Sequence, residues 1–381
     1  MDFGLTEEQR DIQKMTRDFA QDHIAPGAAE RDRDKIFPRE LFTQLGELGL
    51  MGACIPERYG GAGTDFLAYI LALEELSRAD AGVGVTVAVQ TSLATLPIVT
   101  FGTDEQKDRW VPPLARGEVI GAYCLTEPGA GSDAAAVATT ARKDGDFYIL
   151  NGTKQFVSNA GHAGTFTVFA RTDPDSPKAK GISAFIVDRD LDGVSVDREE
   201  DKLGIRSSST ASVVLKDARV PADCLLGEEN RGFAIAMQTL DAGRIGIAAQ
   251  AVGITQAAFD AATEYVQERT AFGRPIAEFQ GIQWKLADMD KDLDAARLLT
   301  HKAAWLKMNG ESCTAEGAKA KLFSSEMCRR HTAEAVQIFG GYGYIKDYPV
   351  ERHYRDAKIT EIYEGTSEVQ RIVIARSVLR R

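Results

Sequence analysis

The hydrophobic period changes twice along this chain of 381 residues, and no single layer of secondary structure can absorb both periods. At the N-terminal end the spacing is helical. Thr6 and Gln9 fit a capping box, with Ile12, Met15 and Phe19 on one face behind it. Pro38 opens a second helix carrying Leu41, Leu45 and Leu48, with Gly49 as its stop. Asp65 to Ser77 predicts a third, with Phe66, Ile70 and Leu73 inward. Near Gly121 the pattern turns to short β-rich runs. Phe147 to Leu150, then Asn151-Gly152, then Gln155 to Val157 predicts a hairpin with a type I′ turn. Thr165 to Ala170, Gly181 to Val187 and Ser212 to Leu215 add further strands. After Gly232 helix returns over Phe233–Arg269, Ile282–Asn309, Ala315–Phe339 and from Ser367 onward, which suggests a bundle. The expected architecture is α+β: a helical unit over 1–120, a β unit over 121–228 and a helical bundle over 229–381.

Charge and composition narrow the function. Lys plus Arg total 45 against 56 Asp plus Glu, a formal charge of −11, and no basic stripe offsets it. Nucleic acid and anionic membrane surfaces would therefore meet net repulsion. The five cysteines (Cys54, Cys124, Cys224, Cys313, Cys328) include no CxxC pair, and only five histidines are spread along the chain. Neither a disulfide framework nor a metal site is expected, and reduced thiols in a cytoplasm fit best. Met1-Asp2-Phe3-Gly4 carries no secretion signal, and charge is read as interrupting every apolar stretch short of a membrane span. No G-x-G-x-x-G, P-loop, nucleophile elbow or H-E-x-x-H motif is present.

Three segments carry candidate chemistry. Tyr123-Cys124-Leu125-Thr126-Glu127-Pro128-Gly129-Ala130-Gly131-Ser132-Asp133 is a tight loop at the α-to-β boundary whose N–H groups could cradle an anion. Ile362-Tyr363-Glu364-Gly365-Thr366-Ser367-Glu368 sets a carboxylate before a helix that Ser367 and Gln370 are expected to cap. Ile338-Phe339-Gly340-Gly341-Tyr342-Gly343-Tyr344 ends a long helix in glycines. Each also has an ordinary reading: an interdomain turn, a solvated loop glutamate, a glycine C-cap. Spacing alone does not choose.

Taken together, YCLTEPGAGSD, DKLGIRSSST, MQTLDAGRIGIAAQ, ERTAFGRPIAEFQ and RHYRDAKITEIYEGTSEVQRIVIAR resemble the acyl-CoA dehydrogenase family over essentially the whole chain. The wording is most similar to its short-chain (butyryl) members. The resemblance implies an N-terminal helical domain, a middle β-barrel-like domain and a C-terminal four-helix bundle. It also implies bound FAD, a homotetramer and electron-transfer flavoprotein as acceptor. Glu364 resembles the base that takes the α-proton while the β-hydrogen leaves as hydride to flavin N5. Tyr123, Cys124, Leu125, Thr126, Gly131 and Ser132 resemble the loop along the flavin. Phe156, Val157 and Ser158 stand at a second flavin segment, where the family more often has tryptophan, an aliphatic residue and threonine. Arg269, Gln280, Gln337, Ile338, Phe339, Gly340 and Gly341 resemble positions reaching a neighbour's FAD, and Thr366, Ser367 and Glu368 a helix start that contacts the cofactor. Asp241, Ala242, Gly243 and Arg244, with Ser132 and Gly365, match the acyl-CoA cleft.

Gly243 sits where branched-chain members such as isovaleryl-CoA dehydrogenase carry their base, and glycine cannot serve as one. With Glu364 at the alternative place, the straight-chain type of site is implied. Two other readings compete: a same-fold acyl-CoA oxidase, and a non-catalytic acyl-CoA-binding scaffold.

Overall fold

The computed structural model of the chain describes residues 4–379; the reading of Met1 to Phe3 and the last two positions of the C-terminal unit lie outside them. Seven helices come first: α1 (Glu7–Phe19), α2 (Ala28–Asp34), α3 (Arg39–Glu47), α4 (Phe66–Ala79), α5 (Ala81–Ala88), α6 (Leu96–Phe101) and α7 (Asp104–Ala115). The capping box at Thr6 and Gln9 is formed, and Asp65 caps α4 through the Ala68 N–H. Gly49 stops the turn after α3 at φ 76°. Two expected face positions are exposed: Leu48 falls just past the end of α3, and α1 turns a different face inward. Met15 is exposed, and α1 buries Gln9 and Thr16, because Gln9 reaches across to Asp65 at 2.7 Å.

Ala81–Phe101 corrects the expectation that no apolar stretch reaches membrane length. It is a 21-residue helical run apolar enough to span, but 89% of its most apolar window is buried inside the fold. Composition cannot separate a span from the central helix of a core. A π-helical turn, Val89–Thr95, interrupts it. There Gln90 donates to the carbonyls of Leu114 (2.7 Å) and Val119 (2.9 Å) and accepts from the Gly121 N–H (2.6 Å), tying the run to the first strand.

Eight strands follow: β1 (Ile120–Cys124), β2 (Thr140–Asp144), β3 (Phe147–Ser158), β4 (Ala163–Arg171), β5 (Ile182–Asp188), β6 (Val194–Glu199), β7 (Thr210–Pro221) and β8 (Leu225–Leu226). They form one sheet in the order β6-β7-β3-β2-β4-β5-β8, with β1 parallel to β4. The expected hairpin at Asn151-Gly152 is not a turn. Both residues lie inside the 12-residue β3, where the register with β7 slips between Leu150 and Gly152. Gly152 is needed for close approach, since a Cβ there would meet Thr139 Oγ1 at 2.3 Å. The turn falls at Gly145 instead, at φ 60°, between β2 and β3.

The rest is helical apart from a small ribbon, β9 (Thr270–Ala271) with β10 (Arg274–Pro275). The helices are α8 (Gly232–Glu268), α9 (Gln280–Met308), α10 (Thr314–Phe339), α11 (Val350–Ala357) and α12 (Ser367–Leu379). One core joins the sheet to α7 and the start of α8 through Phe166, Phe169, Phe185, Trp110 and Ile235. A second packs Phe42, Tyr69 and Leu73 of the first helices onto Ile245, Ala304 and Ala320 of the last ones. The N-terminal helices and the bundle thus share one apolar interior, and α8 and β1 each contribute to both cores.

Candidate active site

A cavity of about 420 Å³ opens where five segments converge. The π turn contributes Val89 and Leu93. The strand β1 and the loop after it contribute Tyr123, Leu125, Thr126, Gly131 and Ser132. Phe156 and Ser158 come from the end of β3, Arg244 from α8, and Glu364 and Gly365 from the turn before α12. More than 270 positions separate Leu93 of the π turn from Glu364, so only the folded chain makes them neighbours.

The loop is held from behind. Glu127 accepts from the N–H groups of Ala138 (2.7 Å) and Thr139 (3.0 Å) and from Lys154 Nζ at 2.7 Å, and Lys154 is fully buried. Burial pushes the Glu127 carboxyl up, but Lys154 and these donors outweigh it and hold the group below its usual range. Burial pulls Lys154 down even as Glu127 raises it; the anion is the better held partner because it alone has the two N–H donors.

Glu364 is treated differently. Its Oε2 is buried and has no hydrogen-bond partner. Burial raises its carboxyl to about 7, opposed by the charges of Lys321 and Arg244. The backbone there is unusual as well, with Glu364 at φ 52° and Gly365 at φ 94°. A left-handed glutamate costs about 1–2 kcal/mol relative to ordinary backbone, and such residues gather where a site over-determines them. Phe156, at φ 54° and 65% exposed, is a second left-handed residue on the same cavity wall.

Space for the carboxylate comes from Gly243. A Cβ at that position of α8 would stand 1.9 Å from Glu364 Oε2. The neighbouring Asp241 does not face the cavity as a free charge: it binds Arg244 Nη1 at 2.7 Å and Thr314 Oγ1 at 2.6 Å. Arg244 itself is buried, and its Nε lacks a partner. Ala242 is packed in the core.

Several expected residues lie elsewhere. The side chains of Cys124 and Val157 turn into the β core, so a ligand could meet them only through the backbone; burial pushes the Cys124 thiol up to about 12. Arg269, Ile338, Phe339, Gly340 and Gly341 line a separate recess of about 490 Å³ with Tyr265 and Tyr342. Gln280 and Gln337 are exposed and border neither cavity. The cap of α12 is Thr366, whose Oγ1 accepts from the Val369 N–H at 3.4 Å, and not Ser367. Ser367 Oγ is buried without a partner, and Gln370 turns back to the carbonyls of Gly365 (2.7 Å) and Glu364 (3.3 Å). Glu368 is exposed, held low by its place in the first turn and by Thr366. Lys154, Lys321 and Gln250 escape the sequence reading. No local pattern marks them, whereas an i+3 glutamine after the glutamate segment did draw attention to Gln370 in another role.

With this geometry in hand, the family is plain. Models of the acyl-CoA dehydrogenase N-terminal, middle and C-terminal domains match residues 6–118, 122–218 and 230–379, and the chain belongs to the acyl-CoA dehydrogenase family, a family of flavoprotein oxidoreductases. It is 51% identical over 380 residues to the short-chain-specific acyl-CoA dehydrogenase of Clostridium acetobutylicum, covering 100% of both chains. Among solved structures it is similar to butyryl-CoA dehydrogenase from Megasphaera elsdenii, with TM-score 0.98, 49% identity and 100% of each chain covered. A chain from the structure of the electron transferring flavoprotein of Acidaminococcus fermentans matches with TM-score 0.99 and 50% identity, again over 100% of both.

Proposed function

We propose that this protein dehydrogenates short-chain acyl-CoA thioesters at the α,β bond, with Glu364 as the base that removes the α-proton. The observation that carries the reading is the unpartnered, buried Oε2 of Glu364 on the cavity wall. A carboxylate left without donors is a stronger base, and one titrating near 7 is matched to proton abstraction at neutral pH. An α-proton of a thioester is weakly acidic, so the developing enolate needs donors at the carbonyl oxygen. The Glu364 backbone N–H is the group proposed for that task.

The residues fit FAD. Thr126 and Ser158 bring hydroxyls to the cavity, Phe156 offers an exposed ring face, and Ser367 keeps an orphaned Oγ at the helix start. When bound, FAD supplies the acceptor for the hydride leaving the β-carbon. Tyr123, Leu125, Thr126, Gly131, Ser132, Phe156, Ser158 and the Thr366–Glu368 turn would hold it, with Cys124 and Val157 contributing backbone. Arg244, Gly243, Ser132 and Gly365 would line the thioester's path, Ala242 would back them from the core, and Asp241 would orient Arg244. The recess at Arg269 and Gly340-Gly341, flanked by Gln280 and Gln337, is read as meeting a neighbouring subunit's FAD in a homotetramer. Electron-transfer flavoprotein is the proposed acceptor, a reading supported by the A. fermentans match. A cytoplasmic location is supported by five free thiols, and the spans of the three family models support units at 1–120, 121–228 and 229–381.

Anaerobic mixing of the FAD-loaded protein with butyryl-, octanoyl-, palmitoyl- and isovaleryl-CoA tests this. Butyryl-CoA should bleach the flavin fastest. A faster palmitoyl or isovaleryl reaction would overturn the chain-length reading, and no bleaching by any of them would overturn the substrate class. Rapid peroxide release in air would replace the dehydrogenase with an oxidase.

A further inference from the structure

Lys321 is a cation for which the reaction above names no role, and it is completely buried on α10. Lysine is almost never buried this deeply without a partner that repays its lost hydration. Its Nζ donates to the Gly365 carbonyl at 2.6 Å, spending its bond on a peptide group and not on a carboxylate. The same carbonyl accepts from Gln370 Nε2 at 2.7 Å, which also reaches the Glu364 carbonyl at 3.3 Å. Two donors therefore converge on the carbonyl of the residue after Glu364, where the chain takes two left-handed residues in succession. A side chain with a Cβ does not hold that conformation unaided.

We propose that Lys321 is a positioning residue for Glu364: by pinning the Gly365 carbonyl it fixes the turn that aims the carboxylate into the cavity, and its charge keeps that carboxylate ionisable in a buried site. The proposal rests on the reading of Glu364 as the base. The other groups facing Glu364 are Arg244 from α8, Tyr69 from α4, Tyr123 from β1 and the adjacent Tyr363. Burial holds the three tyrosines protonated, so they add no charge near neutral pH. Arg244 is already paired with Asp241 at 2.7 Å. Burial lowers Lys321 to about 8 against the raising charges of Glu364, Glu361 and Glu368, which leaves it mostly protonated at neutral pH. Lys321 is thus the positive charge that faces Glu364 without a carboxylate bonded to it.

The test is the pH dependence of flavin reduction by butyryl-CoA in the FAD-loaded wild type and in Lys321→Met. The acid limb of the limiting rate should move to higher pH. A rise of about one unit makes the variant about tenfold slower below both limbs, because each unit is a factor of ten in the ionised fraction. Lys321→Gln keeps a donor for the Gly365 carbonyl but not the charge; it should shift the limb similarly while retaining more of the high-pH plateau than Lys321→Met, and it serves if the methionine variant fails to load FAD. A limb in its wild-type position in a yellow, folded variant would overturn the proposal. Glu364→Gln, run alongside, separates the two claims. If it still bleaches its flavin at the wild-type rate, the base assignment itself falls; if it does not bleach while the Lys321 variants keep the wild-type profile, only the role of Lys321 falls.

Discussion

Glu364 stands on the cavity wall and Glu127 behind the loop that lines it, and their surroundings give these two glutamates opposite properties. Glu127 is surrounded by donors: two backbone N–H groups and a buried ammonium. It is a fixed anion and serves to shape the loop in front of it. Glu364 has an oxygen that nothing in the protein satisfies, and burial pushes it up to about 7. The contrast shows that burial by itself does not make a reactive carboxylate. Donor count decides, because each hydrogen bond to the charged form stabilises it, and the charge is what a base must be ready to give up.

Their pH signatures should differ in sign. Glu127 has a folded value below the unfolded one, so its contribution to stability is full at neutral pH and is lost as pH falls through the depressed value. Glu364 has a raised value, so its contribution is full in acid and is lost as pH rises through about 7. Proton abstraction needs the ionised form, and the rate of flavin reduction should therefore climb with pH through that same region.

The largest effect is expected from Glu364→Gln. It should retain FAD and slow anaerobic flavin reduction by butyryl-CoA by about three orders of magnitude or more, the scale of a lost general base. Near-normal bleaching in stopped flow would mean that the starved carboxylate is a bystander. Lys154→Met should act on stability instead, costing about 3–5 kcal/mol because it strands Glu127 as a buried charge. Thermal unfolding would register this, and a far smaller loss would show that water reaches Glu127. Gly243→Ala asks whether the space beside Oε2 is needed, since the added methyl cannot fit without moving the carboxylate. A loss of about 1–3 kcal/mol, together with slower reduction, is expected from such overpacking. The smallest effect belongs to Tyr363→Phe, which removes the hydroxyl that donates to Gln250. It should cost about 1 kcal/mol in a denaturation curve and leave the acid limb of the rate profile where it was.

How much of this was legible beforehand depended on distance along the chain. Caps and stops such as Thr6 with Gln9, Asp65 and Gly49 are local events, and the helices they bound came out as expected. Asn151-Gly152 failed for the converse reason. The dipeptide favours a turn, but pairing of β3 with β7 over its whole length and the close pass of Thr139 converted it into a bulge. Ser367 and Gln370 matched a capping pattern three residues apart, yet Gln370 is drawn off by the carbonyls of Glu364 and Gly365, leaving Thr366 to cap.

The amino-acid sequence by itself determined the order of helical and β units, the family, and the identity of Glu364 as the residue to watch, because periodicity, caps and a contiguous motif are carried by neighbours in the chain. The tertiary structure alone decided what that glutamate can do. The empty side of Gly243, the missing partner of Oε2 and the ammonium of Lys321 behind Gly365 come from α8 and α10, more than forty residues away, and a carboxylate's proton affinity is set by whatever packing brings within a few ångströms of it.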